Sequence, residues 1–317
     1  MYRRPFMPGE KMKILNFGSL NIDYVYSVKH FVRPGETTAA SGREVFPGGK
    51  GLNQSIALVR AVEKKDSIAV YHAGGIGKNE GKFLKQILAD AGVHTEFISE
   101  YDEPSGHTVI QVDSSGQNCI LLYGGTNMLQ SCGFIDDVLS HFSSGDYLVL
   151  QNEINNVDYI ISKAHEKNMC IFFNPSPYDE RIRELPLQYV DYFLLNEVEA
   201  ADMSGVSDLC ASSLLAGLAE KFTAAKIVLT LGRKGVVYSD GSKVYSHGIY
   251  KVPVVDTTAA GDTFTGYFIS CLAQNMPVQE TLRLASVASS IAVSRKGAAP
   301  SIPGFSEVSA STMELVQ

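Results

Sequence analysis

Short apolar runs alternate along the chain with longer stretches in which apolar residues recur at helical spacing. The runs lie at 13–18, 67–73, 147–151, 170–174, 192–195, 227–231 and 235–238. Between them, 51–62 carries Leu52, Ile56, Leu58 and Val59, and 81–91 carries Phe83, Leu84, Ile87 and Leu88. Segments 157–167 and 211–222 have the same pattern. Near-continuous apolar strands joined by amphipathic helices predict a parallel sheet buried on both faces. Two segments, 23–45 and 106–123, instead alternate apolar and polar residues with no helix between. Thr108, Ile110 and Val112, then Cys119, Leu121 and Tyr123, flank a turn at 114–117, the pattern of a β-hairpin. Together these two segments predict a small half-exposed sheet standing off the main one. Its apolar face suits a lid, a dimer surface, or both.

Composition narrows the picture. At 317 residues, with 45% hydrophobic and 19% charged positions, the chain can build a large core without disulfides or a structural metal. It shows no internal repeat or linker, so a single domain over 1–317 is expected, with the small sheet built from about 23–45 and 106–123. The net charge of −7 argues against nucleic acid as a partner. No apolar run is long enough to span a membrane. Residues 1–10 carry Arg3 and Arg4 but no apolar stretch after them, so they read as a leader before the first strand and a cytoplasmic location is expected. The five cysteines, Cys119, Cys132, Cys170, Cys210 and Cys271, are widely spaced and match no zinc pattern. They are expected to be buried, reduced thiols.

Candidate chemistry collects where the strands end. The first strand runs into Gly18-Ser-Leu-Asn21-Ile-Asp23, another ends Gln151-Asn152-Glu153, and later ones end Asn196-Glu197-Val198-Glu199 and Thr230-Leu231-Gly232. In open α/β sheets ligands bind beyond the carboxyl ends of the strands. This polar edge therefore suits a hydroxyl-rich or phosphorylated ligand. The most informative stretch is Asp256-Thr-Thr258-Ala259-Ala260-Gly261-Asp262, leading into an apolar helix from Phe264 to Leu272. Small residues leave bare N–H groups at a helix N-terminus, an anion site, and Asp262 follows in the first turn. A lone Asp there is commonly a cap. Beside an anion hole it can also accept a proton from an attacking hydroxyl, the arrangement phosphoryl transfer needs. A second stretch, Pro47-Gly48-Gly49-Lys50-Gly51-Leu52-Asn53-Gln54, opens a helix with a glycine-rich turn and puts donors on Lys50 and Asn53. It is not a P-loop, and the first strand carries no GxGxxG, so a nicotinamide fold has no anchor. Protein-kinase motifs are absent.

Four of these motifs, Gly18–Asp23, Gly48–Gln54, Asn196–Glu199 and Asp256–Asp262, in this order and spacing resemble the ribokinase-like (PfkB-type) carbohydrate kinases, and the resemblance runs from about residue 13 to 303. It implies a doubly wound, mostly parallel α/β sheet with a β-lid, and ATP-dependent phosphorylation of a hydroxymethyl group. Asp262 would be the catalytic base, with Ala259, Ala260 and Gly261 as anion hole. Asn196 and Glu199 would position Mg²⁺ and the phosphates, and Thr230 and Gly232 would contact the nucleotide. Ala292, Arg295, Gly297 and Ser301, with Asp256 and Thr258, would hold K⁺, mainly through backbone carbonyls. Sugar contacts would come from Asn21, Asp23, Gly48, Gly49, Lys50, Asn53 and Glu153, and a homodimer would form through the lid.

The carboxylate-rich pocket suits a neutral sugar, D-ribose above all, and would repel a sugar phosphate. A nucleoside would want an aromatic wall, which Tyr24, Tyr26, Phe31 and Tyr123 could supply, so a nucleoside kinase is the second reading. A non-catalytic sugar or nucleotide sensor on the same fold would lose the base, and Asp262 is present. Two positions depart from the family pattern. Lys78 and Asn79 follow Gly77 where an Asp is expected, and Asn152 stands where an apolar residue is usual, which would reshape the sugar pocket.

Overall fold

The computed structural model describes residues 11–64 and 67–316; the expected leader at 1–10 lies outside the described residues. Fifteen strands are described: β1 Met12–Phe17, β2 Asn21–Ser27, β3 Gly42–Gly48, β4 Ile68–Gly77, β5 His94–Tyr101, β6 Gly106–Val112, β7 Asn118–Tyr123, β8 Tyr147–Gln151, β9 Cys170–Asn174, β10 Tyr192–Asn196, β11 Lys226–Thr230, β12 Val236–Ser239, β13 Val244–His247, β14 Ile249–Tyr250 and β15 Leu315–Val316. The helices are α1 Lys50–Arg60, α2 Lys82–Ala91, α3 Cys132–Ser140, α4 Val157–Glu166, α5 Glu197–Ser204, α6 Ala211–Lys221, α7 Ala260–Ala273, α8 Val278–Val293 and α9 Phe305–Ser309.

Nine strands form the main sheet in the order β13-β12-β11-β10-β9-β8-β1-β4-β5. Pairing is parallel from β11 through β5, and β12 and β13 add an antiparallel edge. Alternate strand residues feed two cores. Ile14, Phe172 and Leu194 pack on one face with α1, α7 and α8, while Leu15, Phe173 and Phe193 pack on the other with α3, α4 and α6. This is the doubly wound α/β fold expected from the apolar runs. A second, four-stranded sheet, β3-β2-β6-β7, stands apart, with β2 parallel to β6 and antiparallel pairs on either side. It contains both alternating segments, and it begins and ends its first hairpin a few residues wider than expected. Its outermost strand, β7, exposes Ile120, Leu121, Leu122 and Tyr123.

One expectation fails. Cys170 and Cys271 are buried, but Cys119, Cys132 and Cys210 are exposed. Cys119 sits on the edge strand β7, and the other two start helices, where no core covers them. Among the described residues no helix is long and apolar enough to cross a membrane.

The contact that matters most for the site is between α1 and α7. Ser270 Oγ donates to the Leu58 carbonyl (2.6 Å), so the two helices touch at their backbones. Gly266 makes that approach possible. A Cβ there would strike the Ala57 Cβ and come within 2.7 Å of the Leu58 N. Gly266→Ala adds helix propensity of about 1 kcal/mol. The colliding atoms, however, are backbone and a methyl that cannot swing away, and overpacking costs about 1–3 kcal/mol. The variant is therefore expected to melt several degrees below the parent by thermal unfolding; an unchanged or raised Tm would show that the helices separate freely.

Candidate active site

The chain moves outward from β1 in two directions, to β4 and β5 on one side and to β8 through β13 on the other. The strand order therefore reverses between β1 and β8, and their carboxyl ends open a crevice. Ser19 follows β1 and Glu153 follows β8. The Ser19 hydroxyl donates to Glu153 Oε2, and the same oxygen accepts the Lys50 N–H at the start of α1 (3.0 Å). The half-buried Glu153 carboxylate thus completes a helix N-terminus that has no side-chain cap of its own. Gly49 precedes it at φ 92°, a conformation that favours glycine, and so turns the chain from β3 into α1. Burial is the main influence on Glu153 and raises its pKa, against the opposing pull of Lys50. The Lys50 side chain is half-buried. Burial alone would lower its pKa, but Asp262, Glu153 and Glu199 together outweigh that and raise it. A firmly charged lysine therefore sits among three carboxylates.

Asp262 lies in the first turn of α7 and is 8% exposed. Both of its oxygens are held by amides from α1. Asn53 Nδ2 donates to Oδ2 (3.1 Å) and Gln54 Nε2 to Oδ1 (3.0 Å). Ala259, the residue before the helix, has φ 61°. A left-handed alanine costs about 1–2 kcal/mol, and such strain persists only where the surroundings enforce it. The Ala260 N–H turns back to the Thr257 carbonyl (3.3 Å). The N–H groups of Gly261 and Asp262 occupy helix positions that have no intrahelical acceptor.

Two openings meet at Asp262. On one side a cavity of about 760 Å³ is lined by Asn21, Asp23, Gly49, Lys50, Asn53, Glu153 and Asp262, with Val25, Ile110, Ile120 and Leu122 of the small sheet across from them. On the other a pocket of about 210 Å³ is lined by Lys50, Asn196, Glu199, Thr230, Ala259, Gly261 and Asp262. It adjoins a cleft of about 670 Å³ bordered by Thr230, Gly232, Ala260 and Gly261 and walled by Ile249, Val252, Val254 and Phe264. Gly48 lies just behind Asp23, close enough that any Cβ would collide with that carboxylate. Burial raises the pKa of Asp23, and the bond it accepts from the Thr108 hydroxyl (2.6 Å) partly offsets this. Asn21 Oδ1 accepts from Asn127 Nδ2 (2.7 Å).

Asn196 and Glu199 cap each other. Asn196 Oδ1 accepts the N–H groups of Val198 and Glu199 (both 2.9 Å), and Glu199 Oε2 accepts the Asn196 N–H (3.0 Å). The pair thus builds the helix start and faces the pocket at once. Of the six residues expected around a monovalent cation, Asp256 joins two loops. Its Oδ1 accepts the Thr258 N–H and its Oδ2 the Gly297 N–H, each at 2.9 Å. The Ala292 carbonyl accepts the Arg295 N–H (3.1 Å), Ser301 donates to the Ala298 carbonyl (2.7 Å), and the Arg295 guanidinium pairs with Glu307. Among the described residues there is no cluster of three or more His, Cys, Asp or Glu side chains that could hold a metal. The oxygen donors here are backbone carbonyls, hydroxyls and single carboxylates, the kind hard cations take.

Two expectations need correction. The aromatic wall is not there. Strand alternation places Val25 and Ser27 with Asp23 on the cavity side and sends Tyr24 to the other face, where it meets His107 and Arg43. Tyr123 also meets His107, and Phe46 is the aromatic among the described residues lining the cavity. The Asn152 side chain does not line the cavity; it donates to the Pro177 carbonyl (2.8 Å) and to Asp179 Oδ2 (3.2 Å). At the Gly77 turn, where Lys78 and Asn79 stand in place of the expected Asp, Glu80 Oε1 accepts the Ser105 N–H (2.7 Å) and Ser105 Oγ accepts the Gly77 N–H (2.8 Å). Thr108, Asn127 and Gln54 belong to the site and were not singled out. Gln54 alone had a local signal, because it follows Asn53 on the helix start.

A profile of the pfkB family of carbohydrate kinases matches residues 11–304. The chain belongs to that family, whose members are phosphotransferases acting on an alcohol group. It is 33% identical over 291 residues to a ribokinase of Haemophilus influenzae, covering 90% of this chain and 94% of the relative. Among solved structures it is similar to the Thermotoga maritima ribokinase (TM-score 0.83, 32% identity, 94% and 98% covered). It is also similar to the Arabidopsis thaliana ribokinase complexed with ribose and ATP (TM-score 0.84, 28% identity, 94% and 98% covered).

Beneath the site His72 is buried, with Nδ1 against Ser55 Oγ (2.8 Å), and burial pushes its pKa from 6.5 down to about 3. Below pH 6.5 the unfolded chain takes up a proton that the folded chain refuses. This stability is therefore complete above pH 6.5 and lost as the pH falls toward 3. The slope is up to about 1.4 kcal/mol per pH unit, or about 2 kcal/mol by pH 5. Denaturant unfolding of the parent and of His72→Gln at pH 7 and pH 5 is expected to show the parent losing that much more than the variant. Equal losses would mean that His72 is protonated in the fold.

Proposed function

We propose that the protein transfers the γ-phosphoryl group of ATP to the primary hydroxyl of a neutral sugar, D-ribose, giving ribose 5-phosphate and ADP. The observation that carries this reading is the position of Asp262, in the wall shared by the two openings, with both oxygens held by α1. The sugar would occupy the 760 Å³ cavity, where Asn21, Asp23 and Glu153 can grip hydroxyls and would repel a phosphorylated sugar. The nucleotide would lie in the opposite cleft, its base among Ile249, Val252 and Val254 and its phosphates toward Asn196, Thr230 and Gly232. As the hydroxyl oxygen bonds to the γ-phosphorus, its proton passes to Asp262 and the bond to the β,γ-bridging oxygen breaks. The free N–H groups at the α7 start and the Lys50 ammonium oppose the charge that develops on the phosphoryl oxygens.

Asn196 and Glu199 fit Mg²⁺ carried in with the phosphates, which would supply charge neutralisation. Asp256, Thr258, Ala292, Arg295, Gly297 and Ser301 fit K⁺, which would order the loop beside the anion hole. The small sheet would act as a lid that excludes water, and the exposed Ile120–Tyr123 edge would pair with a second copy in a homodimer. That Tyr24, Tyr26, Phe31 and Tyr123 are not among the residues lining the cavity supports a sugar over a nucleoside.

An ADP-release assay with Mg²⁺, with and without K⁺, over ribose, deoxyribose, fructose, adenosine, cytidine and pseudouridine tests this. Turnover is expected to be strongest on ribose; turnover confined to a nucleoside, or on none of the panel, overturns the substrate reading. Asp262→Asn is expected to lower kcat by at least about 10²–10⁴-fold with ATP affinity within about twofold; full activity would sink the base. Asp256→Ala is expected to lose most of its K⁺ stimulation, and an unchanged response would refute the cation site.

A further inference from the structure

Asp262 is held by more than its two neighbours. Behind Gln54 runs a line of buried side chains that ends in the central sheet. Gln54 Oε1 accepts from Gln151 Nε2 (2.7 Å), which also donates to Asn16 Oδ1 (3.0 Å). Asn16 Nδ2 donates to the Gly51 carbonyl (2.7 Å) and to Ser55 Oγ (2.8 Å), and Ser55 meets His72 Nδ1. Asn16, Gln151 and His72 lie on β1, β8 and β4, three adjacent strands of the main sheet. All are at most 1% exposed, as are Gln54 and Ser55.

Each amide link in this line has a direction. An amide offers two N–H donors at one end and an acceptor at the other. Asn16 spends both donors on Gly51 and Ser55, so its oxygen is what Gln151 meets. Gln151 spends both donors on Asn16 and Gln54, so Gln54 must present its oxygen there and its NH₂ to Asp262. Gln151 Oε1 is left buried with no partner among the described residues. Buried polar atoms are normally satisfied, so the arrangement tolerates a cost in order to keep this orientation.

We infer that Gln54 and Gln151 are positioning residues for the base: Gln151, fixed by Asn16, locks the Gln54 amide so that it always donates to Asp262 and aims that carboxylate at the acceptor hydroxyl. The inference rests on the reading of Asp262 as the base. It differs from a general packing role because the effect should fall on turnover and should pass through Gln54.

Gln54→Met removes the donor at nearly constant volume. Misplacement of a reacting group costs up to about 10²-fold, so kcat is expected to fall about 10–100-fold, with the KM for ribose and for ATP within about twofold. Gln151→Met leaves Gln54 free to flip, and a smaller fall in kcat is expected. The double variant Gln54→Met/Gln151→Met should be no slower than Gln54→Met alone, because Gln151 then has no amide to aim. It also replaces the buried donor and acceptor together by apolar groups, which protects folding if a single variant fails. Wild-type kcat in Gln54→Met or in the double variant overturns the inference. So does a double variant whose loss is the product of the two single losses, or a loss carried by KM. Asp262→Asn separates the two claims. If it stays active, the base reading fails; if it is inactive while Gln54→Met runs at full speed, only the relay fails.

Discussion

The close seat of α1 on α7 is the constraint on which the rest of the site depends. Two helices can bring their backbones together only where side chains are small, and here Ala57 faces Gly266. The Ser270 hydroxyl then bonds the Leu58 carbonyl across the contact. That seat carries the first turn of α1 to the first turn of α7, so Asn53 and Gln54 reach both oxygens of Asp262. With larger residues at the seat the amides would stand off and the carboxylate would be free to turn. Preorganisation of this kind is worth more than any added donor, because its cost is met during folding rather than during reaction.

Electrostatics reinforces the geometry. Lys50 lines both openings and is surrounded by Asp262, Glu153 and Glu199. A buried charge survives only with such partners. The lysine makes tolerable the concentration of carboxylate around it, and the carboxylates keep the lysine charged between the two openings. Neither set of groups would be stable in this form without the other.

Much of this was legible along the chain, and the limits have physical causes. The central strands were readable because burial on both faces makes them continuously apolar. Strand β5 was not, since it alternates polar and apolar residues near the sheet edge, and α8 was not, since its Ala- and Ser-rich sequence lacks a sharp polar face. The site motifs were readable because each is local: a glycine turn, a helix start, a strand end. Thr108, Asn127 and the Gln151 relay were not, because they act on residues 85 to 106 positions away. The tyrosines of β2 misled for a simple reason. A residue next to a cavity-facing position on a strand faces the opposite way.

The far end of α1 extends the same logic. Arg60 ends the helix, and its guanidinium donates to the carbonyls of Ala299 (3.1 Å) and Ile302. One helix of 11 residues, about 16 Å long, therefore touches the Asp262 carboxylate at its first turn and the 298–302 loop at its last. Were a ligand bound at each end, any coupling the helix carried between them would have to be reciprocal. Whatever factor a ligand at one end imposes on affinity at the other must be returned unchanged. If the loop takes a cation and the cavity a sugar as proposed, ordering the one and filling the other would be, in thermodynamic terms, two readings of one coupling constant.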